Sequence, residues 1–229
     1  MNNKQINCEE KEDKRENSKI KSIFCYGDAD VKKMIWSFKT DKTFYKSQDS
    51  LIPLRAVAKE LVNENLQNII ICVPSSSFWH NKKSFDHMHL FIRNLRRFFE
   101  GICKNKSFTI TDKPVCSNFE YIPYSIIPHL NKDLQKGLNK NERSIQTVGA
   151  YQLSYYFKFR IKLLLKKITS QTNQTDQNKS PILQILIMDD VMTTGSTIKE
   201  CRRVVYEYLQ KIEADEVVHV NCLTLAYEA

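Results

Sequence analysis

The sequence predicts an α/β chain, a mostly parallel sheet flanked by helices, from three observations. "NIIICVP" (68–74) and "PILQILIMDD" (181–190) are contiguous apolar runs of the kind found in strands covered on both faces. Each is followed by a stretch with apolar positions at helical spacing, Phe85 to Phe99 and "STIKECRRVVYEYLQKI" (196–212). Strand and helix patterns therefore alternate along the chain, and that alternation builds βαβ units with parallel strands.

Taken in order, the first twenty residues carry no periodic apolar positions and are expected to form a mobile tail ahead of one domain over 21–229. "VKKMIWSFK" sets Val31, Met34, Ile35 and Phe38 on one helix face, and "LIPLRAVAKELVNENL" does the same with Leu54, Val57, Ala58, Leu61 and Val62. In "NIIICVP", Ile69 to Val73 form the buried strand and Pro74 ends it. On the next helix Met88, Phe91, Ile92, Leu95, Phe98 and Phe99 share a face, with Arg93, Arg96 and Arg97 pointing elsewhere. Residues 101–141, interrupted by Pro114, Pro123 and Pro128, offer one short strand near "NFEYIPY". "TVGAYQLSYYFKFRIKLLLKKI" reads as a long helix, "TSQTNQTDQNKS" as a polar surface connector, and "EVVHVNCLTLAY" as a closing strand. No internal repeat is visible.

Composition narrows the functional classes. The chain has 229 residues, 41% hydrophobic and 27% charged, a globular balance. No apolar run approaches the roughly 18 residues of a membrane span. The opening "MNNKQINCEEKEDKRENSKIK" lacks the apolar stretch of a secretory signal, so a cytoplasmic protein is expected. Its seven cysteines are an odd number without a C-x-x-C pair and read as reduced thiols. A net charge of +9 suits an anionic partner: a phosphate ester, a nucleotide or a nucleic acid.

The densest chemistry lies in "ILIMDDVMTTGST", residues 185 to 197. Ligands of open parallel sheets bind beyond the carboxyl ends of the strands, where Asp189 and Asp190 fall. Neighbouring carboxylates repel, and ribose hydroxyls or a magnesium ion would relieve that repulsion. Thr193, Thr194, Gly195, Ser196 and Thr197 add hydroxyls and a close backbone approach at the start of a helix, where amides and dipole favour phosphate. Acids for a sugar followed by amides for a phosphate describe a ribose 5-phosphate site.

This stretch resembles the phosphoribosyl pyrophosphate signature of type I phosphoribosyltransferases, a hydrophobic strand followed by D-D-x-x-T-T-G-x-T. Within that superfamily the arrangement is similar to the ComF-type competence proteins, over about residues 24 to 229. Three upstream segments add to the likeness. "YGDADVKKMIWSFKTD" looks like that family's helix with an apolar-x-x-apolar-K segment, "IIICVPSSS" like its strand ending in V-P, and "KKSFDHMHLFIRNL" occupies the place of its R-G-F-N-Q segment.

The resemblance implies a type I phosphoribosyltransferase-like fold and a pentosyl transfer, in which an acceptor displaces magnesium-bound pyrophosphate at ribose C1. Asp189 and Asp190 would hold the ribose hydroxyls, directly or through Mg2+. Residues Thr193 to Thr197 would enclose the 5-phosphate. Pro74, Ser75 and Ser76 would form the pyrophosphate loop, with Lys82 and Lys83 neutralising the leaving group. No catalytic residue is assigned. Some purine-salvage relatives carry an aspartate where Thr193 stands here, so that route to protonating a base is absent. "KSFDH" loses the glycine and amides of R-G-F-N-Q. Only Cys8 and Cys25 lie at the N-terminal end where the family carries its zinc-type cysteine pairs, too few for four ligands, so no zinc site is expected.

Simpler readings stand beside these. The acidic pair also fits a solvated strand end, a helix cap or a receiver domain, although a receiver carries its acids after the first strand. Ser75 and Ser76 fit an ordinary strand-exit turn. His80, His87 and His89 read as surface or cap residues rather than metal ligands, because 87 and 89 cannot share one helix face. The basic residues of "RNLRR" and "KFRIKLLLKK", interleaved with Phe and Tyr, fit either solvated helix faces over a core that includes Leu163 to Leu165 or a nucleic-acid surface. The second case corresponds to a non-enzymatic DNA-uptake accessory or nucleotide sensor that retains the phosphoribosyl pocket.

Overall fold

A computed structural model describes residues 20–61, 67–74, 85–105, 119–129, 147–172 and 183–228. In chain order the elements are β1 (Ile20–Cys25), α1 (Ala29–Thr40), two 3-10 turns (Lys42–Lys46 and Gln48–Ser50), α2 (Leu51–Leu61), β2 (Gln67–Cys72), α3 (His87–Asn105), β3 (Phe119–Tyr121), β4 (Ile126–Pro128), β5 (Tyr151–Leu153), α4 (Tyr155–Thr172), β6 (Leu183–Met192), α5 (Ser196–Lys211) and β7 (Val218–Tyr227). Five strands form one all-parallel sheet in the order β1-β7-β6-β2-β3, and β4 and β5 form a separate antiparallel pair.

The two long apolar runs become neighbours in the middle of this sheet. Strand β6 pairs with β2 from Gln67↔Leu183 to Cys72↔Met188, and with β7 from Leu183↔Val218 to Met192↔Tyr227. Alternation along each strand sends side chains to two separate cores. Ile69, Ile71, Ile185 and Ile187 pack under Phe157 and Ile161 of α4 and under Ile198, Cys201, Val205 and Leu209 of α5. On the opposite face Ile70, Cys72, Leu186 and Met188 meet Ile35 and Phe38 of α1, Val57 and Ala58 of α2, and Met88, Phe91, Ile92 and Leu95 of α3. Where both faces are covered the strands are apolar at consecutive positions, Ile69 to Cys72 and Ile185 to Met188.

Several expectations change. Residues 20–25 drew no strand assignment from the sequence, yet they form β1, the edge strand beside β7. Their side chains are mostly half-buried, which leaves a weak hydrophobic pattern. The long helix expected over 147–168 begins only at Tyr155. Residues 151–153 are instead strand β5, and Ser154 starts the helix, its Oγ accepting from the Phe157 amide at 3.2 Å. The turn before β5 contains Gly149 at φ 69°, a left-handed conformation suited to glycine. Leu163, expected in the core, is 43% exposed, while Leu164 is buried. The expected tail falls almost wholly outside the described residues, as does most of the connector after α4. No helix among the described residues is long and apolar enough to cross a membrane.

Connections from the central strands diverge. From β2 the chain moves outward to β3, whereas from β6 it moves the other way to β7. Between β2 and β6 lies the point where the winding direction reverses, and open α/β sheets form their ligand crevice beyond the strand ends there. The sheet's dependence on β6 is measurable. Ile187→Ala, at a fully buried position, is expected to cost about 2–5 kcal/mol in urea unfolding; a loss below ~1 kcal/mol would contradict a tightly packed central strand.

Candidate functional site

Asp189 and Asp190 stand at the carboxyl-terminal part of β6, next to the exit of β2, where the Val73 amide donates to the Met188 carbonyl at 2.9 Å. Pro74 follows at that exit and is buried, while Ser75, Ser76, Lys82, Lys83 and His80 lie outside the described residues. Strand alternation splits the acidic pair. Asp190 follows Met188 toward α1 and α3, and Asp189 follows Ile187 toward α4 and α5.

Asp190 is enclosed by partners. Its Oδ1 accepts from Lys39 Nζ at 3.1 Å and from the Val191 amide at 2.6 Å, and its Oδ2 meets His87 Nε2. Burial works to raise its pKa, but the His87 hydrogen bond and the Lys39 charge prevail and hold it below the usual carboxylate range. Asp189 is only half-buried, and its Oδ1 accepts from the Asp190 amide at 2.9 Å. Burial first, then the Asp190 charge, push its pKa above the usual range. One acid is thus held ionised beside Lys39 and His87, and its neighbour carries the unfavourable share.

His87 is therefore neither a surface residue nor a helix cap. Its ring is buried, its edge packs against Phe38 with centroids 5.3 Å apart, and its carbonyl accepts from Tyr45 Oη at 2.8 Å. Its Nδ1 is buried without a hydrogen-bond partner among the described residues. Asp86 makes the helix cap instead, its Oδ1 accepting from the His89 amide at 3.1 Å. Nδ1 of His89 hydrogen-bonds the Tyr121 hydroxyl at 2.8 Å, and its ring stacks on Tyr124 at 5.4 Å. Burial lowers the His89 pKa, with Asp86 opposing and Arg93 reinforcing the shift. Tyr124 sits at φ 51°, an unusual conformation for a non-glycine residue. Burial pushes the Cys72 thiol, 3.6 Å from Tyr121 Oη, up to about 12, so it is inert rather than nucleophilic.

The hydroxyl-rich turn lies just beyond. Thr193 is exposed, and Thr194 Oγ1 pairs with Ser196 Oγ at 2.8 Å and accepts from the Ser196 amide at 3.3 Å. Gly195 takes φ 73° and precedes α5, which no Gly195 side chain can cap. Ser196 and Thr197 open that 16-residue helix, so the first-turn amides and the dipole face the loop. The left-handed backbone at Gly195 favours glycine, and a Cβ there would stand 3.2 Å from Met192 Sδ, so that side chain would have to give by a few tenths of an ångström. Farther along α5, buried Glu200 accepts from the Gly149 amide at 2.5 Å and pairs with Arg203, tying the turn before β5 to the helix.

Among the described residues no three His, Cys, Asp or Glu groups converge to hold a metal ion. Of the two acids Asp189 is the one that could serve a cation of the Mg2+ type, which takes one or two carboxylates and draws its other oxygens from phosphates and water. Compared with models of known families and with curated proteins, the chain matches none of them.

Sequence reasoning missed Lys39 and set His87 aside as a surface or cap residue, although both lie in segments it had singled out, "IWSFK" and "KSFDH". Residues 39, 87 and 190 meet only in the fold, and no spacing rule connects them. Two outcomes follow from this geometry. A raised folded pKa means that Asp189 contributes stability fully below about pH 4 and loses it as pH rises through the folded value. Asp189→Asn should therefore be more stable than wild type at pH 8, by on the order of 1 kcal/mol, with the gap shrinking toward pH 4; an equal gap at both would refute the assignment. Gly195→Ala should lower stability by about 1 kcal/mol or more, read as a fall in Tm, whereas an unchanged Tm would mean that the loop relaxes freely.

Proposed function

We propose that the chain is a type I phosphoribosyltransferase-like protein of the ComF kind, binding phosphoribosyl pyrophosphate at the ends of β2 and β6. Convergence carries this reading. Two segments that resemble the family, the α1 lysine segment and the β2 exit, and His87 from the segment that takes the place of its R-G-F-N-Q run meet at the strand end that carries the acidic pair. Lys39 and His87 both contact Asp190, and Val73 pairs with Met188. Their meeting at a winding reversal, beside a glycine turn that opens a long helix, supports a ligand with a hydroxylated sugar and phosphates.

In this reading the turn Thr193 to Thr197 surrounds the 5-phosphate with amides and hydroxyls, and Asp189 and Asp190 serve the sugar side. Pro74, Ser75, Ser76, Lys82 and Lys83 are the proposed diphosphate contacts. Transfer would break the C1–oxygen bond and form a bond from C1 to an acceptor nucleophile, releasing pyrophosphate. A magnesium ion at the acidic end would neutralise charge on the departing group. The chain's own task is to orient sugar and phosphate and to stabilise that departing charge.

Calorimetric titration of phosphoribosyl pyrophosphate with Mg2+ tests the pocket. Wild type should bind with micromolar affinity, and Asp189→Asn/Asp190→Asn at least tenfold more weakly. Well-folded wild-type protein without heat of binding would sink the proposal. Pyrophosphate release with a panel of bases and amines then tests transfer.

A second reading, a nucleic-acid-handling accessory protein, is favoured by the outer face of α4. Tyr155 is 90% exposed, and Tyr156, Phe159 and Leu163 are exposed with it beside Lys162 and Lys166. The helix contains no acidic residue. Exposed rings among lysines suit base stacking and phosphate contact along a single strand. Anisotropy of a labelled single-stranded oligonucleotide should then show affinity falling steeply with salt, and weakening in Tyr155→Ala/Phe159→Ala; a flat salt response removes this reading.

A further inference from the structure

The two acids of the pair are not equivalent, and their difference assigns a role to a residue outside the signature. Asp190 accepts from three donors, the Lys39 ammonium, the Val191 amide and the His87 ring, and is 9% exposed. Among the described residues Asp189 accepts from one donor, the Asp190 amide, and it is more exposed. A carboxylate saturated by its own protein has little remaining capacity for a ligand, whereas Asp189 retains most of its own.

Buried ion pairs contribute little net stability compared with apolar packing, so a lysine brought from α1 to a carboxylate of β6 calls for another explanation. Of the three side chains, Lys39 is the one near the surface: its side chain is 33% exposed, against 13% for Asp190 and 7% for His87. Its ammonium lies on the α1 and α3 side of the sheet, where Asp190 points. The turn Thr193 to Thr197 opens α5, which packs on the opposite face. The lysine and the helix N-terminus thus approach the strand end from different sides.

We propose that Lys39 binds the diphosphate end of the ligand, with Asp190 and His87 as the positioning residues that hold it there, and that Asp189 is the acid that meets the ligand's hydroxyls or its divalent cation. This rests on the phosphoribosyl pyrophosphate reading above. It differs from that reading in dividing the labour between the acids and in adding a cation from α1 to the diphosphate contacts. A lysine suits the task, since its flexible stem lets the charge turn from Asp190 to a phosphate oxygen while remaining within reach of both.

The test titrates three probes, phosphoribosyl pyrophosphate, inorganic pyrophosphate and ribose 5-phosphate, each with Mg2+, into wild type, Lys39→Met, Lys39→Arg and Asp190→Asn. Lys39→Met should weaken both diphosphate-bearing probes at least tenfold and leave ribose 5-phosphate within about twofold. Lys39→Arg should recover most of the lost affinity, which a purely structural role would not require. Asp190→Asn should reproduce the Lys39→Met pattern, and circular dichroism melts separate that result from unfolding. Wild-type affinity for inorganic pyrophosphate in folded Lys39→Met, or an equal loss for ribose 5-phosphate, overturns the inference. Failure of wild type to bind phosphoribosyl pyrophosphate instead overturns the site reading on which it depends.

Discussion

A central strand of a parallel sheet is covered on both faces, so a polar side chain along it must find a partner or wait until the strand leaves the core. Strand β6 meets this constraint across its length. Ile185 and Ile187 serve one core, Leu186 and Met188 the other, and the first charged residues come only where cover ends. The same ladder that pairs β2 with β6 also brings the β2 exit beside Asp189, so the meeting of these strand ends is a product of the sheet's register. Three distant segments of chain reach one place because β6 occupies the middle.

Charge at that place is arranged asymmetrically. Two adjacent ionised carboxylates in a half-covered site repel, and the fold relieves this by pairing one of them. Lys39 and His87 gather on Asp190, while Asp189 bears the cost of burial beside a fixed negative charge. A site that keeps one acid under electrostatic stress stores a preference for any donor or cation that can relieve it. In the proposed reading, stability is thereby exchanged for binding capacity, as at many functional sites.

Legibility followed burial. Elements with one strongly apolar face or two, such as α3, β2, β6 and α5, could be read because their periodicity reports the core directly. Strand β1 could not, since at the sheet edge its residues are mostly half-buried and polar ones are tolerated. Strand β5 was absorbed into a helix pattern because three residues are too few to display alternation, although Gly149 and Ser154 marked both of its boundaries. Leu163 of α4 was placed in the core for a related reason. A helix rich in apolar residues all round does not disclose which side is covered.

By itself the sequence determined the α/β class, the two buried strands and the local order of acids, hydroxyls and glycine, because each is written in neighbouring residues whose spacing matches a backbone period. Gly195 belongs to that class: the residue alone announces the left-handed turn that the structure contains. Only the tertiary structure decided which strands adjoin, which acid is paired and which cation pairs it. Lys39, His87 and Asp190 are separated by 48 and 103 positions, and contacts across such distances depend on strand order and crossover, which no local pattern encodes.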